Sequence, residues 1–329
     1  NSLFSSKDIK SEKEVVVEEI QMYQSNPSRH VNTILEELIY QGSTLEHNIG
    51  GDIDIIRGAT RSKFLAFLSH FYQPSNTIIS IVGNFDNGVT KKLLLKYFDK
   101  NFNYLPEKKL IKFKPRILFK NFYQRQNQMR YKSQAFPNMK NTYLMIGFPS
   151  FGYHSKQYYA SMVISAILSG GMSSRLFIEV RERRGLVYTI ISDIDSYQDL
   201  GNFTIKAATS GSEKKINQVI ILIIKELKKI VDGKFNASEI KKAKDYLIGG
   251  EKLRRESSSY LAQRNGYDLI CFNRLIKPEF FMNQIKKVNK KDIMEVASKL
   301  FQWQKLNLSV ISNKKLEKNK ITKGCDSIL

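Results

Sequence analysis

The stretch GGMSSRLFIEVRERRGLVY, residues 170–188, is the part of the sequence that decides the fold. Its two glycines end an apolar helix, YYASMVISAIL, which is predicted over 158–168. Its last residues lead into a strand predicted over about 186–195, and a second strand with alternating apolar residues follows over 202–209. Helices and strands in this mixed order are typical of an α+β unit.

The flanking sequence extends this pattern in both directions. Helices are predicted over about 12–23, 28–40, 62–72, 212–232 and 290–301, together with a helix that contains Leu94, Tyr97 and Phe98. Strands are predicted over 77–84, 142–148 (closed by Pro149) and 306–312. Asn236 and Glu239 form a predicted N-cap and its third-position partner for another long helix. The sequence therefore predicts an α+β fold with a largely antiparallel sheet.

The composition is that of an ordinary globular chain, with 42% hydrophobic and 26% charged residues among 329. The longest apolar run, VIILII at 219–224, is too short to span a membrane. The two cysteines, Cys271 and Cys325, cannot form a Cys-rich zinc site or a disulfide framework. They favour a reducing compartment, such as a bacterial cytoplasm or an organelle matrix. The residues after Asn1 predict no signal or transit peptide, so the localisation stays unknown.

The formal net charge of +22 has two interpretations. It indicates either a nucleic-acid or acidic-membrane partner, or lysine-rich helix faces that are simply solvated. The basic residues are scattered and accompany no RNP, zinc-finger or helix-turn-helix pattern. The second interpretation is therefore preferred, and nucleic acid is not an expected partner.

An internal repeat is visible when residues 67–84 are aligned without gaps on residues 296–313. Both segments contain a helix, a short loop and an apolar strand that ends in Asn, which indicates a duplicated domain. The offset is 229 residues, so a first copy of the block at 142–209 would fall before residue 1. We therefore expect roughly 110 residues of the first domain to lie upstream, which makes the chain an N-terminally truncated one.

Residues 170–188 resemble the second-domain signature of the insulinase/pitrilysin family of zinc metallopeptidases (inverzincins), in the branch that contains processing peptidases. Residues 12–31 are similar to the family segment that carries the third zinc ligand. The resemblance implies two homologous domains, each a mostly antiparallel sheet covered by helices, which close as a clamshell. It also divides the chain into 1–115, the C-terminal part of the first, metal-binding domain, and 116–329, the second, homologous domain. The Lys-, Arg- and Gln-rich residues from about 103 to 130 are then the connection, with a strand or two inside it.

The family's zinc site is a His-x-x-Glu-His helix with a distant Glu. The resemblance makes Glu19 that Glu, with Glu18 as the alternative, and Glu12 a residue supporting it from two turns earlier. Without the family context, Glu19 is a solvated carboxylate, and one carboxylate alone cannot hold Zn²⁺. None of the four histidines forms the motif, so these 329 residues are expected to be inactive by themselves.

The resemblance also implies a role for Arg181 and Tyr188, seven residues apart, which would reach the substrate carbonyl. The alternative is an exposed helix end with Arg183 and Arg184 beside Arg181, followed by an ordinary strand tyrosine. The function implied is a zinc-dependent endopeptidase or oligopeptidase that cleaves small or unfolded polypeptides in a closed chamber. A non-catalytic scaffold or partner subunit of a homologous chain is the second hypothesis, and a basic nucleic-acid-binding protein is the third.

Overall fold

A computed structural model describes residues 3–73, 76–99 and 125–328. The helices are α1 (Ser6–Ser25), α2 (Pro27–Ile39), α3 (Ile53–Arg57), α4 (Arg61–Phe71), α5 (Asn87–Leu94), α6 (Gln157–Ser169), α7 (Glu213–Val231), α8 (Ala237–Arg254), α9 (Ser258–Phe272), α10 (Pro278–Lys287), α11 (Lys290–Leu300) and α12 (Lys318–Ile321). The strands are β1 (Arg130–Ala135), β2 (Thr142–Phe151), β3 (Thr189–Ser196), β4 (Leu200–Thr209) and β5 (Asn307–Ser312). Most of the connection predicted over 103–130 lies outside the described residues.

The five strands form one sheet in the order β1-β5-β2-β4-β3. Three of its four pairings are antiparallel, and only β1 and β5 run parallel. The long β2–β4 ladder pairs Thr142 with Thr209 at one end and Phe151 with Leu200 at the other. The predicted α+β class with a mostly antiparallel, helix-covered sheet is confirmed. Among the described residues, no helix is long and apolar enough to cross a bilayer.

Both faces of the sheet are covered at β2 and β5, where every residue of β5 and all but one residue of β2 are buried. On one face, Leu144 and Ile146 join the main core formed with α6, α7 and α11. On the other face, Met145 and Ile311 pack against Leu35 and other apolar residues of α2. Successive side chains of a strand point to opposite faces, so one strand serves both clusters.

The described residues form two compact units, each assembled from separated stretches of chain. The larger unit holds residues 19–52, 125–249 and 281–328 and contains the whole sheet. The smaller unit holds residues 3–18, 53–73, 76–99 and 250–280. This division differs from the predicted domains 1–115 and 116–329, because residues 19–52, which include α2, belong to the larger unit and residues 250–280 belong to the smaller one. That the two halves are homologous domains stays a prediction.

Two strand predictions are corrected by the structure. Residues 77–82 belong to no strand, because no described strand runs beside them to accept their hydrogen bonds. Their side chains reflect this, since Ile78, Ile79 and Ile81 are 38%, 45% and 43% exposed. Pro149 does not end β2, which continues to Phe151. The neighbouring strand β5 pairs with β2 only as far as Gly147, so the missing amide of Pro149 removes no hydrogen bond on that side.

Candidate functional site

The site segment is a short helix over residues 175–182 that ends in a tight turn before β3. Its inner face is fixed by Leu176 and Val180, both fully buried in the main core. Residues Phe177–Glu182 form a wide π-helical turn, a feature that is frequent at functional sites. The turn ends at Gly185, whose φ of +57° lies in the left-handed region that favours glycine. The helix therefore has a fixed inner face and a fixed end.

Of the three arginines at positions 181, 183 and 184, two bind the same carboxylate and one does not. The side chain of Glu179, 18% exposed, accepts hydrogen bonds from both Arg183 and Arg184, at 2.7 Å for Arg184 Nη1. The hydrogen bond from Arg184 lowers the pKa of Glu179 against the effect of partial burial, and the charges of both arginines add to it. Arg181 has no carboxylate partner among the described residues, and its guanidinium lies 5.0 Å from the ring centroid of Phe177. Its hydrogen-bond donors thus remain available to a ligand.

Tyr188 is positioned by backbone contacts on both sides of the turn. Its amide donates to the carbonyl of Ala208 on β4 at 2.8 Å, and the preceding residues Leu186 and Val187 are buried. The side chain itself is 58% exposed, and its hydroxyl lies 3.1 Å from the hydroxyl oxygen of Ser210. The backbone is fixed while the phenol faces solvent, which suits a hydrogen-bond donor to a ligand.

Arg175 is the residue of this segment that the sequence did not single out. Its Nε donates to Glu239 Oε1 at 2.6 Å, and its Nη2 donates to the carbonyl of Lys234 at 2.7 Å. A helix N-terminus carries partial positive charge and disfavours a cation there. The position of Arg175 at the start of the helix was therefore the sequence signal that nearby carboxylates stabilise its charge.

The predicted third zinc ligand lies on α1, which contains both Glu12 and Glu19 in one continuous helix. Seven residues bring the two carboxylates to the same side, two turns apart. Glu18 and Glu19 are both exposed, so burial does not distinguish the preferred residue from its alternative. Across the part of the chain that the structure describes, no three His, Cys, Asp or Glu side chains come together as a metal site. The described residues therefore do not fit a zinc ion without further ligands.

The profile of the "Peptidase M16 inactive domain" matches residues 58–247, which is more than half of the chain and includes the whole of 170–188. The chain belongs to the peptidase M16 family. The insulinase/pitrilysin resemblance predicted from residues 170–188 is thereby confirmed.

Known M16 relatives agree with this assignment. The chain is 28% identical over 313 residues to an "Uncharacterized zinc protease" of Rickettsia felis, and the match covers 92% of this chain and 69% of that protein. The crystal structure of a protease from Helicobacter pylori superposes with a TM-score of 0.80 at 21% identity, covering 94% of this chain and 73% of that one. A chain of complex III2 from Candida albicans superposes with a TM-score of 0.76 at 15% identity, covering 95% and 74%. At these identities the two structures support the fold alone.

Proposed function

We propose that this chain is the substrate-receiving part of a zinc-dependent endopeptidase or oligopeptidase that acts on small or unfolded polypeptides. The observation that carries the proposal is the pair formed by Arg181, which no carboxylate neutralises among the described residues, and the exposed Tyr188, seven residues later. Membership of the M16 family and the zinc-protease names of the relatives support it.

The chemistry of the pair suits the carbonyl oxygen of a peptide. A guanidinium and a phenol both donate hydrogen bonds, and both become stronger partners when negative charge develops on that oxygen. By the precedent of oxyanion-hole donors, each of Arg181 and Tyr188 would contribute about 2–4 kcal/mol to the transition state. The described residues do not complete a zinc site around Glu19. The histidines and the general base of a His-x-x-Glu-His motif would have to come from outside these 329 residues.

The binding role can be tested on the chain itself with a fluorescein-labelled unfolded polypeptide, such as reduced and carboxymethylated α-lactalbumin. A charged hydrogen bond is worth about 1.5–3 kcal/mol, so Arg181→Met should weaken binding by at least about tenfold in fluorescence anisotropy. Tyr188→Phe should weaken it by about threefold, through loss of one neutral hydrogen bond. The matched control is Arg183→Met, which removes the same charge from an arginine already bound to Glu179. If Arg181→Met and Arg183→Met lose the same amount of affinity, the loss reflects only the change in net charge, and the proposal is refuted.

The metal role has a separate test. We propose Glu19 as a zinc ligand, Glu12 as its support, and residues 1–115 and 116–329 as parts of two homologous domains. A His-x-x-Glu-His motif encoded roughly 110 residues upstream would support this, by the repeat arithmetic. In a protein that carries the motif, Glu19→Gln should abolish zinc binding and peptide cleavage, whereas Glu18→Gln should preserve both. Survival of both properties in Glu19→Gln would refute the ligand assignment.

A scaffold or partner subunit is the second candidate function. One observation favours it: the matching profile is that of the family's inactive domain. If the upstream motif is absent, we propose that the chain binds peptides or a homologous partner chain without cleaving. The polypeptide-binding measurement would then still respond to Arg181→Met.

A further inference from the structure

The guanidinium of Arg175 connects three elements of the larger unit. It is bidentate to Glu239 on α8, with Nε to Oε1 at 2.6 Å and Nη2 to Oε2 at 3.1 Å. It also reaches Glu226 Oε2 on α7 at 3.3 Å and the carbonyl of Lys234 between the two helices at 2.7 Å. Only 16% of the Arg175 side chain is exposed. Planar, bidentate pairs of this kind fix orientation as well as position.

The carboxylate partners are themselves held in place. Glu226 is 3% exposed and also accepts a hydrogen bond from Lys229 at 2.6 Å. Glu239 forms the capping box of α8, because its side chain accepts from the amide of Asn236 while its own amide donates to the Asn236 side chain, both at 3.0 Å. Burial would raise the pKa of Glu239, but the hydrogen bonds from Arg175 and Asn236 lower it below its ordinary value. Glu239 is therefore a charged, fixed partner for Arg175 at neutral pH.

The helix at 175–182 is short and continuous from Arg175 to Arg181. Its inner face is buried through Leu176 and Val180, so the remaining freedom is rotation and sliding of its first turn. The contacts of Arg175 oppose that motion at one end. At the other end, the amide of Gly185 donates to the carbonyl of Arg181 at 3.0 Å and the turn leads directly to Tyr188. Because the Tyr188 amide is bound to Ala208 on β4, a shift of the first turn would displace Arg181 relative to Tyr188.

We propose that Arg175 is a positioning residue for Arg181 and Tyr188, acting through its contacts with Glu239 and Glu226. The inference rests on the proposed function, because it assigns Arg175 to the geometry of that same peptide-binding pair. Arg175 itself touches no substrate, since its donors are engaged by carboxylates and a carbonyl oxygen. Its role is to hold the helix so that two exposed side chains converge on one carbonyl.

The test is a double-mutant cycle in the polypeptide-binding assay. Arg175→Lys keeps the charge but loses the bidentate geometry, and Glu239→Gln keeps the capping acceptor but loses the charge. Each should weaken binding by about fivefold to tenfold in the wild-type background, which lies within the range of coupling found between contacting residues. In the Arg181→Met background, each should add less than about twofold, because the donor that it positions is gone. A purely stabilising role would give the same loss in both backgrounds.

Arg264→Lys provides the matched control, since Arg264 pairs with the buried Asp268 at 2.9 Å within α9. It should lower the unfolding midpoint without changing polypeptide affinity. If Arg175→Lys does not fold, Glu239→Gln decides the question, because Glu239 is less buried than Glu226. Full affinity in Glu239→Gln or Arg175→Lys, with affinity lost in Arg181→Met, would overturn the inference and leave the proposed function standing. Full affinity in Arg181→Met would overturn both.

Discussion

Gly185, in the turn between the two proposed donors, and Gly249, within α8, should respond in opposite directions to substitution by alanine. Gly185 has a φ of +57°, and an added Cβ would meet nothing within 4 Å. The cost of Gly185→Ala is therefore conformational, about 1–2 kcal/mol for a left-handed residue, partly offset by about 0.4–1 kcal/mol of lost unfolded-state entropy. Gly249 lies within α8, and its Cβ would also meet nothing. Gly249→Ala should instead stabilise by about 0.8–1 kcal/mol.

The two substitutions thus differ in sign although they add the same methyl group to open space. Urea unfolding followed by circular dichroism should separate them by about 1.5–2 kcal/mol. Gly185→Asn is the control, because asparagine tolerates the left-handed region and should recover most of the loss. A Gly185→Ala variant as stable as the wild type, or a shift of both alanine variants in the same direction, would refute the assigned turn conformation.

Three further predictions follow from local contacts. Ser210→Ala should leave the free energy of unfolding within about 0.5 kcal/mol of the wild type, as most surface substitutions do. The same variant should bind the polypeptide about twofold more weakly in anisotropy, because the Tyr188 hydroxyl loses its partner. The pKa of Glu36 is raised, first by burial and also by Asp195, so its folded form binds a proton more readily than its unfolded form. The wild type should therefore lose stability as pH rises through that pKa, and Glu36→Gln should gain over it in urea unfolding at pH 7 but not below pH 4.5. Cys325 is fully buried and its pKa is raised to about 12, so a thiol reagent should titrate only the other cysteine in the native chain and both in urea.

Local patterns predicted most of the helices and four of the five strands. The capping box of Asn236 and Glu239 is confirmed to the atom, because its residues are three apart and need no tertiary partner. The helix at 28–40 was also predicted, and it begins at Pro27 after the N-cap Asn26. What it packs against was not predicted, since an apolar stripe indicates that a face is buried but not which surface covers it.

Residues 77–84 were predicted to form a strand, and the structure contradicts this prediction. Their apolar, β-branched composition is that of a strand, and the repeat aligns them with β5, which lies between β1 and β2 in the sheet. A strand is defined by its neighbours, however, and the described residues supply none at 77–82. The β propensity of this segment is therefore real, but propensity alone does not predict whether a neighbouring strand pairs with it.

The stability of the signature stretch and its chemistry depend on different residues. Leu176 and Val180 are fully buried, so their truncation to Ala should cost about 2–5 kcal/mol in the free energy of unfolding. Arg181 and Tyr188 contribute little to the core, and exposed substitutions usually change stability by no more than about 0.5 kcal/mol. Folding alone therefore does not require an arginine without a carboxylate partner among the described residues and a solvent-facing tyrosine seven residues apart on this turn. A ligand that accepts hydrogen bonds would use both side chains, and by our proposal Arg175 holds the pair in place through Glu239 and Glu226 on the neighbouring helices.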